Sequence, residues 1–176
     1  MKKSVFLLIL LLVGCAVNPP SGIVPINGFE LNRYLGQWYE IARLDHSFER
    51  GLSNVTATYS LRDDGGVKVL NRGYDEQSKQ WREAEGRAYF TGEPTAGSLK
   101  VSFFGPFYGG YHIIALDKAN YSYAMISGPN RDYLWILARS KQLPPPTVLD
   151  DLLKQAKSLG YATEQLILVR HDQGAT

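Results

Sequence analysis

Apolar and polar residues alternate with a period of two through most of the chain. The alternation comes in short runs separated by turn residues every 8–12 positions or so, the spacing of a β-sandwich or barrel. Strand-like runs cover 37–44, 52–61, 67–71, 82–91, 98–104, 109–116, 121–127 and 133–140. Asp63-Asp64-Gly65-Gly66 supplies a hairpin turn between the second and third runs, and Pro129-Asn130-Arg131-Asp132 turns the seventh into the eighth. Eight consecutive strands with short connections predict an all-β chain folded as an eight-stranded antiparallel up-and-down barrel, a closed sheet with no exposed edges. A further short strand is expected over 165–170.

The period changes once. Pro144-Pro145-Pro146 ends the eighth run, and Val148, Leu149, Leu152, Leu153, Ala156 and Leu159 then recur at helical spacing. Thr147 and Asp150 have the spacing of a capping box, with Asp in place of Glu or Gln, and Gly160 is the stop. One amphipathic C-terminal helix packed on the outside of the barrel accounts for this segment. Its polar face is not basic, which argues against a membrane-surface helix.

The first residues obey neither period. Lys2 and Lys3 precede an unbroken apolar run, Val5 to Val13, of nine residues against the roughly 20 that a spanning helix needs. The run ends in Leu12-Val13-Gly14-Cys15, which resembles the lipobox of bacterial lipoproteins. The resemblance implies a signal peptide over 1–14, cleavage before Cys15, acylation of that cysteine, and a lipid anchor in place of a span. Ala16 in place of Asp implies sorting to the outer membrane. Residues 15–28, with Asn18-Pro19-Pro20-Ser21-Gly22, form a lipidated tether, and 29–176 the folded domain. Cys15 is the only cysteine, so the domain has no disulfide and its core must hold the fold unaided.

Charge then tells little about partners. Of the 19 Lys and Arg residues, Lys2 and Lys3 leave with the leader, so 17 basic residues face 17 acidic ones. No basic stripe remains, which argues against nucleic acid as a partner. Chemistry is also thin. The one thiol sits in the lipobox, His46, His112 and His171 lack metal-ligand spacing, and no nucleophile–base pair or phosphate-cradling glycine loop is present. No enzyme, metal or cofactor is expected.

Three short blocks carry a family resemblance. Gly36-Gln37-Trp38 opens the first strand, Asn120-Tyr121 lies between the sixth and seventh, and Arg139 ends the eighth. Their order and spacing resemble those of the lipocalins. The second block, usually Thr-Asp-Tyr, is Ala119-Asn120-Tyr121 here. The segments Trp38 to Arg43 and Phe104 to Tyr111 look like bacterial lipocalins related to apolipoprotein D. The resemblance implies that Gly36, Trp38, Asn120, Tyr121 and Arg139 build a closed floor, with Arg139 lying across the Trp38 ring in a cation–π contact of about 0.5–2 kcal/mol.

Function is then expected inside the barrel. With Trp38 marking the inward face, strand alternation directs Glu40 and Ala42; Val55, Ala57, Tyr59 and Leu61; Val67, Val69 and Asn71; and Ala84, Gly86, Ala88 and Phe90 inward. It continues with Leu99, Val101 and Phe103; Tyr111, Ile113 and Ala115; and Tyr133, Trp135 and Leu137, while the seventh run fits either face and is taken with Ala124 and Ile126 inward. The candidate ligand-binding residues are Glu40, Ala57, Tyr59, Val69, Asn71, Ala88, Val101, Phe103, Tyr111, Ile113, Tyr133 and Trp135. The many small residues among aromatic walls suit an elongated apolar ligand with a polar end, a fatty acid or lysophospholipid. A solid core, with those small residues packed against large neighbours, is the alternative. Glu40, buried beside Trp38, needs a partner or a raised pKa. Phe107 and Tyr108, with Arg50 and Arg131, are expected at the open end.

The resulting expectation is storage or transport of a lipid at the bacterial outer membrane, in support of envelope maintenance. A lipid-modifying enzyme and a structural envelope lipoprotein with an incidental cavity are the alternatives, and a homodimer stands open beside a monomer.

Overall fold

The computed structural model describes residues 17–142 and 145–172, so the leader, Cys15 and Pro144 lie outside the described residues. A single-turn helix α1 (Leu31–Tyr34) leads into eight strands: β1 (Gly36–Arg43), β2 (Leu52–Leu61), β3 (Val67–Asp75), β4 (Gln80–Phe90), β5 (Ser98–Phe104), β6 (Phe107–Leu116), β7 (Tyr123–Ser127) and β8 (Leu134–Ala138). Each strand pairs antiparallel with the next, and β1 pairs with both β2 and β8, which closes the barrel. A two-residue strand β9 (Ile167–Leu168) lies beside the upper half of β1. There β2 bends away from β1. Its Asn54 takes a left-handed φ of 51°, and the tail fills the gap, with the Asn54 N–H donating to the Arg170 carbonyl.

Helix α2 (Pro146–Ser158) packs on the outside as its apolar stripe requires. Its start differs from the capping box expected of Thr147 and Asp150. Pro145 is the N-cap residue, no side chain caps the helix, and Pro146 stands at the first helical position, where its missing N–H costs nothing. Leu152 and Ala156 press against a second apolar cluster formed by the outward residues Ile114, Met125, Leu134 and Ile136. The interior cluster is separate and contains Trp38, Tyr59, Val69, Ala88, Leu99, Ile113, Ala124 and Ile126.

Two bulges change the inward set. The register between β1 and β8 slips between Glu40 and Ala42, so Ala42 joins the outer cluster and Arg43 takes an inward place. The register between β6 and β7 slips between Ile113 and Ala115, which turns Ala115 toward the helix and Leu116 inward. The expectation of Ala42 and Ala115 inside is therefore corrected: a single extra residue reverses the face of everything beyond it. Leu61 also departs from expectation, standing exposed at the end of β2.

Candidate functional site

The floor is built around Trp38. Its indole N–H donates to the Tyr34 carbonyl at 2.8 Å, the Tyr34 ring packs above it at 4.7 Å, and the Arg139 guanidinium lies 4.0 Å from its ring centroid. Arg139 also donates to the carbonyls of Arg33, Leu35, Gln37 and Tyr121, tying the leading turn, β1 and the β6–β7 turn together. Gly36, at φ 93°, has Arg139 Nη1 3.4 Å from where a Cβ would stand, so a side chain there would be strained and would crowd the guanidinium. Tyr121 is buried, its hydroxyl accepts the Glu30 N–H, and the Arg33 guanidinium covers its ring at 4.1 Å. Asn120 is exposed, and its N–H donates to the Asp117 carboxylate that organises this turn.

Above the floor, three hydroxyls meet. Tyr111 OH lies 2.7 Å from Tyr34 OH and 2.8 Å from Tyr59 OH. Burial raises the pKa of all three phenols, so they stay neutral and share their protons among themselves. Around and above them Ala57, Val69, Ala88, Val101, Phe103 and Ile113 form an apolar wall. Part of the volume expected from small residues is taken up, since Phe103 occupies the space beside Gly86. Ala84 faces Asn71 across β3 and β4 and is exposed, which puts the half-buried Asn71 where the interior meets solvent.

The upper interior is charged. Arg43 Nη1 donates to Glu40 Oε1 at 2.7 Å, with both side chains almost fully buried, and Arg43 Nη2 bonds the carbonyls of Glu49 and Leu52. The Trp135 indole N–H donates to the buried Glu49 carboxylate at 3.0 Å. His46 stacks on Tyr133 at 4.2 Å and on Phe48 at 5.3 Å. Tyr133 itself precedes β8 and is half-buried. One guanidinium thus faces two carboxyls. Burial, and after it the repulsion of Glu49, push the Glu40 carboxyl up to about 8 against the pull of Arg43. Burial raises Glu49 as well, and it lowers His46. With the Glu40 carboxyl raised to about 8, its protonated form predominates at neutral pH and lessens the negative charge around Arg43. Arg43 Nε and His46 Nε2 are buried without a protein partner.

Sequence reasoning missed Arg43, Glu49 and Tyr34 as interior groups. Arg43 is hidden by the bulge, Glu49 comes from a loop, and Tyr34 comes from the turn before the first strand. The two arginines expected at the mouth lie in open-end loops but are already engaged. Arg50 pairs with Asp45 in the exposed β1–β2 loop, and Arg131 holds the carbonyls of Leu159 and Ser21 on the outer wall.

A family model described as a lipocalin-like domain matches residues 29–171. The chain belongs to the lipocalin family. This lipocalin is 54% identical over 174 residues to the Outer membrane lipoprotein Blc of Vibrio cholerae, covering 96% of this chain and 98% of that one. It is 57% identical over 156 residues to the protein of the same name in Escherichia coli K12, covering 88% and 84%. Apolipoprotein D of Cavia porcellus is 36% identical over 148 residues, covering 80% of this chain and 75% of the other. Among solved structures, insecticyanin of the tobacco hornworm Manduca sexta superposes with a TM-score of 0.70 at 24% identity, covering 89% and 88%, a likeness of fold alone. With these relatives and its lipobox-like leader, the protein is a lipid-anchored lipocalin of the bacterial outer membrane, a binder of lipids or small hydrophobic molecules.

Proposed function

We propose that the barrel stores or carries a lysophospholipid or fatty acid for maintenance of the envelope, held to the membrane through acylated Cys15. The acyl chain lies between Val69, Ala88, Val101, Phe103 and Ile113, and the headgroup meets the Glu40–Arg43–Glu49 cluster. The observation that carries this reading is the vertical order of the interior: a sealed floor, an apolar wall, then a buried charged cluster with unsatisfied nitrogen atoms.

The cluster also ranks the two ligands. A free carboxylate adds a third carboxyl beside Glu40 and Glu49, whereas an ethanolamine headgroup brings an ammonium together with its phosphate, and that ammonium balances Glu40 once its proton leaves. The lysophospholipid is therefore the favoured ligand. Mass spectrometry of lipids that co-purify with the protein, joined to titration with lysophosphatidylethanolamine and palmitate, tests the reading. The lysolipid is expected to bind more tightly than palmitate, the more so as pH rises toward the value of about 8 at which Glu40 ionises. Trp135→Ala, which frees the Glu49 carboxylate, should weaken binding with the fold intact. No bound lipid and no saturable titration would sink the proposal, and turnover of the lysolipid would replace it with an enzyme.

A further inference from the structure

The tether and the mouth loops have a relation that the binding reading does not use. Phe29 donates to the Thr95 carbonyl and Ile26 to that of Ile113, so this part of the chain starts near the closed end. From there it runs backward up the outer wall. Ser21 accepts a hydrogen bond from Arg131, in the β7–β8 turn at the open end, and Val17 places its carbonyl oxygen 3.2 Å from where a Cβ on Gly110 would stand. Gly110 is three residues from the β5–β6 turn and six from Leu116. At about 3.3 Å per residue, the mouth is roughly 10 Å from this point and the closed end roughly 20 Å. Two peptide links separate Val17 from Cys15, a reach of about 7 Å. Acyl chains on Cys15 thus enter a bilayer from a point nearer the mouth than the floor.

The mouth has the surface chemistry of a membrane contact. Phe104 is 82% exposed, Phe107 65% and, in the β1–β2 loop, Phe48 59%. At the closed end Leu61 is exposed beside Arg62, Asp63 and Asp64. One layer behind the Phe104–Phe107 turn, on the outer face, Arg87 donates to the Tyr108 hydroxyl at 3.1 Å and Lys100 lies 5.0 Å from the Tyr108 ring. Lys68 and Arg72 on the neighbouring strand are paired with Glu85 and Glu83, whereas Arg87 and Lys100 have no carboxylate partner among the described residues. Phenyl rings at the tip, with tyrosine and free cations a layer behind, match an acyl region followed by a layer of anionic headgroups.

We propose that the open end of the barrel docks on the leaflet that holds the Cys15 acyl chains, with Phe48, Phe104 and Phe107 inserted and Arg87 and Lys100 at the headgroups. Lipid then passes between leaflet and barrel without crossing water. The inference rests on acylation of Cys15, and its test separates the two. Full-length protein is reconstituted in vesicles of phosphatidylethanolamine and phosphatidylglycerol, and its acylation is read by mass spectrometry. A fluorophore on Ser47→Cys, beside Phe48, is expected to lose its emission to brominated phospholipid, while one on Asp63→Cys at the closed end keeps it. The double substitution Phe104→Ser, Phe107→Ser, at exposed positions, should slow uptake of a fluorescent lysophospholipid from the same vesicles by roughly tenfold, with the unfolding midpoint and the affinity for detergent-free lipid monomer unchanged. An acylated protein with the Asp63 label quenched, with neither label quenched, or with uptake unaffected by the double substitution overturns the docking. An unacylated Cys15 overturns the anchor itself, and the docking argument with it.

Discussion

Arg43 is the residue on which the interior depends most. Its guanidinium pairs with the buried Glu40 carboxyl and bonds the backbone carbonyl of Glu49, and it is the only guanidinium paired with Glu40 among the described residues. Removing one member of a buried ion pair leaves the other uncompensated, typically at about 3–5 kcal/mol. Arg43→Met should therefore lower stability at neutral pH by that order, and less at pH 5, where the carboxyls can both take up protons. The native chain should show its own dependence on pH. The folded Glu40 carboxyl titrates near 8 against an ordinary 4.5, so the folded state holds the extra proton between those values. Stability from this group is full below 4.5, falls as pH rises toward 8, and is flat beyond. Urea midpoints measured from pH 5 to 9 for the native chain and Glu49→Gln check the sign: the variant, with one carboxyl fewer, should show a shallower slope. A slope of the opposite direction would mean that Arg43 dominates the pair.

At the scale of the element, what the sequence makes legible is periodicity, and what it hides is interruption of periodicity. Trp38, Tyr59, Val69, Ala88 and Ile113 all occupy the inward face that alternation assigns them, because β3 and β4 pair without a register shift and the other three lie on the regular side of the bulge in their strand. Ala42 and Ala115 lie beyond a bulge and face outward. Nothing in Glu40-Ile41-Ala42-Arg43 marks the extra residue, since the bulge is selected by pairing with β8 and by the burial of an ion pair that only the closed barrel assembles. The same holds for Tyr34 and Glu49, brought to the interior by a turn and a loop with no period of their own. The α2 start is a third case: Thr147 and Asp150 have capping spacing, but Pro146 opens the helix first. Leucine scanning separates the two faces. Ala42→Leu overpacks the outer cluster, where Ala42 is fully buried, and should destabilise by about 1–3 kcal/mol while leaving lipid affinity unchanged. Ala57→Leu projects into the half-buried lining and should weaken lipid binding at little cost in stability. Affinity lost in the first variant and kept in the second would return Ala42 to the interior.

For the molecule as a whole, the two ends of the barrel are built to different standards. The closed end is tied by Arg139 to four carbonyls from three segments, by Arg33 to the carbonyls of Lys118 and Ala119, and by the Asp117 carboxylate to the N–H groups of Ala119, Asn120 and Ser122. The open end relies on stacked rings and on the Arg43 cluster, in which the Glu40 carboxyl loses its proton near pH 8. Segments with few buried bonds open locally at a small fraction of the global unfolding free energy, so amide exchange should divide along the barrel axis. The 44–51 and 128–133 loops are expected to exchange fast, and the 117–122 turn slowly. In the proposed binding mode a lysophospholipid touches the Glu49 cluster and not the floor, so it should slow exchange across 44–51 and leave 117–122 as it was. Hydrogen-exchange mass spectrometry with and without the lysolipid reads both effects in one experiment. Protection that appears first at 117–122 would place the ligand's contacts below Trp38, and the sealed floor would then have to be a gate.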